Sequence, residues 1–196
     1  MIKRCFDIFA SFIGLLLLSP FFIVIAIVIL LDSRGGVFYK QVRVGKDNID
    51  FKLFKFRSMS TGSDKKGLLT VGGRDSRITR SGFFIRKYKL DELPQLLNVL
   101  FGDMSLVGPR PEVRKYVDMY NAEQMKVLSV KPGITDYASI EYSNENELLA
   151  KSSEPEKTYI DEIMPAKLLL NQKYIAEQGL LTDLKIIFKT IAKIAS

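Results

Sequence analysis

The chain holds 196 residues with a formal net charge of +7, one cysteine and no histidine. That length suits one domain with a real core and is short for two large ones. Lack of histidine removes Ser-His-Asp and Cys-His catalysis and His-ligated metals, the lone Cys5 removes an intrachain disulfide framework and zinc spacing, and the basic balance favours an anionic partner: nucleic acid, acidic lipid or a phosphorylated substrate.

Ile8 to Leu31 contains 24 residues without a charge. At 1.5 Å per residue a straight helix would measure about 36 Å, enough to cross a ~30 Å hydrocarbon core. Ser19-Pro20 sits at its middle. Proline deletes one backbone hydrogen bond, and the Ser19 hydroxyl is positioned to satisfy the carbonyl left open. Basic residues flank both ends, Lys3 and Arg4 before and Arg34, Lys40, Arg43 and Lys46 after, which draws both ends toward the cytoplasm. A re-entrant helix-break-helix and a kinked spanning helix both fit. Leu30-Leu31-Asp32-Ser33 does not resemble a signal-peptide cleavage site.

Further along, Val37 to Val44 and Ile49 to Phe56 alternate like strands around Gly45-Lys46-Asp47-Asn48, which predicts a β-hairpin. Residues 60 to 76 read as a loop, with Val71-Gly72-Gly73-Arg74 a flexible turn rather than a phosphate loop. A short basic helix is predicted from Ile78 to Tyr88, and another from Glu92 to Phe101, ended by Gly102. Helices are also predicted from Glu112 to Val130 and from Ile160 to Gln178. The last segment places Leu180, Leu184, Ile187, Ile191 and Ile194 on one face and Lys185, Lys189 and Lys193 in a separate stripe, a basic amphipathic helix suited to packing or to an anionic lipid surface.

Leu90-Asp91-Glu92-Leu93-Pro94-Gln95 carries the chemistry of most interest. Two adjacent acids follow the basic pair Arg86-Lys87, and a carboxylate among cations can hold a metal or attack phosphorus. The structural alternative is a helix start with Asp91 as N-cap, and the two are compatible, because a carboxylate at a helix N-terminus stays ionised. Gly108-Pro109-Arg110-Pro111 fixes an extended backbone around one arginine, which suits a phosphate clamp or, more plainly, an exposed turn.

The order of these features, with Lys55-Phe56-Arg57-Ser58-Met59, Arg86, the block from Asp91 to Pro111 and Lys131-Pro132-Gly133-Ile134-Thr135, resembles the small monotopic phosphoglycosyl transferases of the bacterial sugar transferase family, the polyprenyl-phosphate hexose-1-phosphate transferases. The resemblance implies a mostly helical α+β fold: a re-entrant membrane helix over residues 1–34, then a cytosolic catalytic domain over 35–196 with a β-hairpin and interfacial amphipathic helices. It implies transfer of a sugar 1-phosphate from a UDP-sugar to undecaprenyl phosphate at the cytoplasmic face of the bacterial inner membrane. Asp91 aligns with the nucleophile and Mg2+ ligand, Glu92 with its support, and Arg86, Arg110 and Arg57 with phosphate-binding positions. Asp183 aligns with a further functional aspartate, and Ser19 and Pro20 with the helix break. Membrane phospholipid is a further partner and nucleic acid is not; the oligomeric state is open, a homodimer being one option. Many members continue Pro-Gly-Ile-Thr with glycine and later carry an arginine-containing loop; this chain has Asp136-Tyr137-Ala138-Ser139 and then Asn144-Glu145-Asn146-Glu147, which bears on sugar recognition. Large members add N-terminal membrane helices and another domain, so the chain reads as a minimal catalytic unit. The rival reading is a non-catalytic membrane adaptor with a basic partner-binding surface.

Overall fold

A computed structural model of the chain describes residues 2–63, 67, 69–72 and 75–195. Gly73 and Arg74 of the expected flexible turn lie outside the described residues.

Helix α1 runs Ile2–Asp32 with Pro20 inside it. The expected separation into two arms is not present in the helix assignment. Pro20 has no N–H for the carbonyl of Leu16, and Ser19 Oγ donates to that oxygen at 2.8 Å, so the local hydrogen-bond deficit is repaired. Asp7, Ser11, Ile25 and Ile29 are buried on one face. Apolar side chains including Phe9, Leu17, Ile23 and Leu31 stand exposed elsewhere. Among the described residues α1 is the single helix long and apolar enough to cross a membrane.

Both ends of α1 are tied to the rest of the chain. Lys3 donates to the Val107 carbonyl at 3.0 Å, and Arg4 donates to the carbonyls of Val99 and Leu100. Asp7 accepts from Ser105 Oγ at 2.8 Å and from Leu106 N at 3.1 Å. At the far end, the Asp32 carboxylate accepts from both the backbone N–H and the hydroxyl of Ser81. Ile25 and Ile29 share an apolar cluster with Phe56 and Ile85.

Strands β1 (Phe38–Val44) and β2 (Asp50–Phe56) form the expected antiparallel hairpin, in register from Phe38 opposite Phe56 to Val44 opposite Asp50. Asp47 and Asn48 take positive φ at its turn, a conformation these side chains tolerate better than most. Helix α2 (Arg80–Lys87) is capped by Thr79, whose hydroxyl accepts from Gly82 N at 3.0 Å. A 3-10 turn (Leu90–Glu92) precedes α3 (Gln95–Phe101), which Gly102 ends at φ 102°. The buried Asn98 side chain fastens α3 to β2, accepting from Phe54 N and donating to the Lys52 carbonyl.

Strands β3 (Ser105–Val107) and β4 (Gly133–Thr135) pair in parallel. A Cβ on Gly133 would stand 2.1 Å from Gly108 N, so the two motifs that carry these glycines cross at backbone contact. The helix expected over Glu112 to Val130 reduces to α4 (Arg114–Val117) and a 3-10 run at Gln124–Ser129. Between them the Asn121 and Gln124 side chains each accept the other's backbone N–H, a local arrangement that competes with helix continuation.

Short helices α5 (Tyr137–Glu141), α6 (Glu145–Ala150) and α7 (Pro155–Thr158) follow. A π turn (Tyr159–Ile163) leads into α8 (Met164–Glu177), and α9 (Leu180–Ala195) closes the fold. The largest apolar cluster joins Tyr116, Val127, Leu149, Tyr159 and Leu168. On α9 the buried positions are Asp183 and Ile186. Leu180, Ile191 and Ile194 of the expected apolar face are exposed, as are Leu181 and Phe188, so the helix turns a different face inward than its aliphatic stripe suggests.

Candidate active site

Lys89 takes a left-handed φ of 55° and turns the chain into the 3-10 helix that carries the acidic pair. Asp91 is therefore inside that turn and is not the N-cap of α3; Pro94 holds that position, with no side-chain cap. Asp91 and Glu92 are neighbours in sequence with opposite electrostatics. Asp91 is 5% exposed. Desolvation pushes its carboxyl above the ordinary range; Lys55 opposes this, Glu92 adds to it and Arg86 opposes. The expectation that a helix N-terminus would favour ionisation is thus reversed by burial. Desolvation acts on Glu92 too, but Arg110 and then Lys55 outweigh it and hold that carboxyl well below its usual value.

Arg110 meets Glu92 fork to fork, through Nη1 to Oε2 at 3.1 Å and Nη2 to Oε1. Lys55 Nζ adds a bond to Oε1 at 3.2 Å. Burial draws the Lys55 ammonium down, against the pull of Glu92. Arg110 N also faces the Asp136 carboxylate at 3.3 Å, while the other oxygen of Asp136 caps α5 by accepting from Ser139 N at 2.6 Å. The departure at Asp136 therefore lies against the Pro-Arg-Pro segment.

A cavity of ≈ 520 Å3 opens beside this constellation, with Lys55, Arg86, Asp91, Arg110, Tyr159 and Asn171 among its lining residues. That volume is in the range of small-molecule and cofactor pockets. Arg86 reaches it from the last turn of α2, with Nη2 donating to Thr70 Oγ1 at 3.1 Å.

The remaining sequence candidates fall elsewhere or in other roles. Arg57 borders the cavity, but its guanidinium donates to the carbonyls of Ser33, Arg34 and Gly36, closing the chain that leaves α1. Its geometry is that of a clamp on backbone, in contrast to the expected phosphate ligand. Asp183 does not line the cavity. It is buried in a knot of elements, bonded to Lys3 Nζ at 2.5 Å and to Tyr174 Oη at 2.8 Å, and both partners also donate to the Val107 carbonyl. Ser19 and Pro20 are exposed on α1.

The sequence assigns no role to Asp7 or Asn171, and it marks Lys55 only as part of the Lys55-Phe56-Arg57-Ser58-Met59 motif at the end of the hairpin. Asp7 stands one residue outside the uncharged run, and its spacing of four from Ser11 was the available signal for a polar docking face. Asn171 carried no signal beyond a polar residue inside an apolar helix.

The family model for bacterial sugar transferases matches residues 1–196. The chain belongs to the bacterial sugar transferase family. This family member is 41% identical, over 98% of its length, to a UDP-N-acetylgalactosamine-undecaprenyl-phosphate N-acetylgalactosaminephosphotransferase of Aeromonas hydrophila, of which the match covers 43%. It is 38% identical, over 97% of its length, to a UDP-glucose:undecaprenyl-phosphate glucose-1-phosphate transferase of Klebsiella pneumoniae, of which the match covers 39%. The chain thus spans less than half of each of these two relatives. It is also 37% identical to an exopolysaccharide production protein of Rhizobium leguminosarum, covering 97% of this chain and 94% of that one.

Proposed function

We propose that the chain transfers a sugar 1-phosphate from a UDP-sugar to undecaprenyl phosphate through a covalent aspartyl-phosphosugar intermediate. The observation that carries this reading is the division of labour in the acidic pair. Glu92 is engaged by Arg110 and Lys55, whereas Asp91 borders the cavity with cationic side chains around it. The names of the relatives, which couple UDP-sugars to undecaprenyl phosphate, support the same substrates.

In this mechanism an Asp91 carboxylate oxygen attacks the β-phosphorus of the donor. The bond between that phosphorus and the bridging oxygen breaks, UMP leaves, and the sugar phosphate remains on Asp91 as an acyl phosphate. An oxygen of the lipid phosphate then attacks the same phosphorus and Asp91 departs as carboxylate. Desolvation suits the nucleophile, since a carboxylate stripped of water is more reactive once ionised. Arg86 and Arg110 border the cavity where phosphate charge must be balanced. Glu92 keeps Arg110 and Lys55 in place beside the nucleophile.

Magnesium fits this donor set. Among the described residues no cluster of three or more acidic, His or Cys ligands forms a closed metal cage. Magnesium in phosphoryl-transfer sites needs no such cage, because one or two carboxylates and the substrate phosphates suffice. Asp91 would hold it, and when bound it would screen the charge of the pyrophosphate.

The proposal extends to topology: α1 enters and leaves the inner membrane from the cytoplasmic side, so that the catalytic domain works at the headgroup plane. Support comes from the two ends of α1, where Lys3, Arg4 and Asp7 on one side and Asp32 on the other bond the same domain. A helix crossing the bilayer would carry its ends to opposite faces. The exposed apolar side chains between these ends suit lipid.

The deciding experiment incubates the protein with Mg2+ and a panel of UDP-sugars without lipid acceptor. UMP release up to one equivalent per site, together with a sugar-phosphate mass on the peptide containing Asp91, supports the reading. Sequential kinetics with no burst and no labelled peptide would overturn the covalent step in favour of direct attack by the lipid phosphate.

A further inference from the structure

Asn171 lies on α8, 5% exposed, and its side chain lines the same cavity as Asp91 and Arg110. Among the described residues its Oδ1 has no hydrogen-bond partner. Buried acceptors are nearly always satisfied, so an open one on a cavity wall calls for a donor from whatever fills the cavity. The neighbouring polar groups do not supply it. Lys167, one turn earlier on α8, also lines the cavity but donates to Glu145 at 2.6 Å and lies over the Tyr159 ring at 5.4 Å. Tyr159 in turn donates to Glu112. The π turn at Tyr159–Ile163 leads into this part of α8, and such turns are frequent where a helix is re-aimed at a site.

We propose that Asn171 is a specificity-determining contact for the donor, its Oδ1 accepting a hydrogen bond from an N–H or O–H group of the nucleotide sugar beyond the pyrophosphate. The inference rests on the donor reading given above. Two parts of a UDP-sugar carry that chemistry: the uridine, through uracil N3–H or a ribose hydroxyl, and the sugar, through a hydroxyl or an acetamido N–H. A buried acceptor on a cavity wall discriminates strongly, because a ligand without the matching donor leaves it unpaired.

The test compares wild type with Asn171→Leu, which keeps size and removes the acceptor, and Asn171→Asp, which keeps an acceptor oxygen. Binding of UDP and of a panel of UDP-sugars is measured by calorimetric titration, and turnover by UMP release. The expected result for Asn171→Leu is an affinity loss of about tenfold or more, seen in KM more than in kcat, with Asn171→Asp retaining more affinity than the Leu variant. A loss of equal size for UDP and every UDP-sugar assigns the contact to the uridine. A loss confined to certain UDP-sugars, with UDP unchanged, assigns it to the sugar. Unchanged affinity for UDP and the whole panel in a folded Asn171→Leu protein overturns the inference, since the acceptor would then be satisfied by water alone. Wild type that binds UDP-sugars without releasing UMP would overturn the proposed reaction while the titration still decides the role of Asn171. Wild type that binds none of them overturns both.

Discussion

The Arg110 guanidinium lies fork to fork on the Glu92 carboxylate, with Nη1 donating to Oε2 at 3.1 Å and Nη2 to Oε1. This pair leaves the second acid of the motif engaged by a cation on both of its carboxylate oxygens. It also explains the rigid Pro109-Arg110-Pro111 backbone, because a planar fork needs a fixed origin to meet a planar carboxylate.

Glu92→Gln should cost about 1–3 kcal/mol of stability, because Arg110 and Lys55 would lose the carboxylate between them while partly shielded from water. The acid dependence follows from the sign of the shift. The Glu92 carboxyl is held well below 4.5, so its contribution is fully present above that value and is lost as pH falls through the depressed one. Thermal unfolding of wild type and variant from pH 7 downward checks this: the gap should narrow in strong acid.

Asp91→Asn should behave in the opposite way. Desolvation raises the Asp91 carboxyl above 3.8, so the ionised form opposes folding at neutral pH and this opposition fades as pH falls through the raised value. The variant should therefore be at least as stable as wild type at pH 7, with the difference shrinking in acid, while UMP release and the labelled peptide are abolished. A destabilised Asn variant at pH 7 would show that Asp91 makes a structural contribution that its partners do not explain.

Arg86→Lys and Arg110→Lys should each lower UMP release, because a point charge cannot reproduce a guanidinium fork. They should differ in stability. Arg110→Lys disturbs the partly buried contact to Glu92, whereas among the described residues Arg86 makes one side-chain bond, to Thr70. Wild-type UMP release from both Lys variants would argue for purely structural roles.

Single cysteines placed near residues 2 and 34, in a Cys5→Ser background, should label from the same side of the membrane. Labelling from opposite sides would establish a spanning α1. Pro20→Leu restores the missing backbone donor and removes the ring clash, so it should shift α1 toward a straight crossing and weaken the contacts of Lys3 and Asp7 with the domain.

Gly133→Ala should lower folded yield and melting temperature sharply. The added Cβ meets Gly108 backbone, which cannot rotate away as a side chain could. Gly62→Ala meets no atom of the described residues within 4 Å, so it serves as a milder control whose cost comes from its positive φ.

Much of this protein was legible in its residues taken in order. The hairpin followed from period-two alternation around Gly45-Lys46-Asp47-Asn48, α1 from its uncharged run, and the repair of the Leu16 carbonyl by Ser19 from the chemistry of proline. The family was legible in Asp91-Glu92 and Gly108-Pro109-Arg110-Pro111, since these are local strings. These features depend on neighbours within a few positions, and local pattern reports them. Tertiary structure alone decided the surroundings of each acid. Asp91 and Glu92 are adjacent in the chain, but burial raises one while Arg110, 18 residues away, and Lys55, 37 residues away, hold the other down. It likewise turned Arg57 toward the chain end of α1, placed Asp183 beside Lys3, and set the open acceptor of Asn171 on the cavity wall. Desolvation and Coulomb interaction act through space, so no reading of one segment at a time contains them.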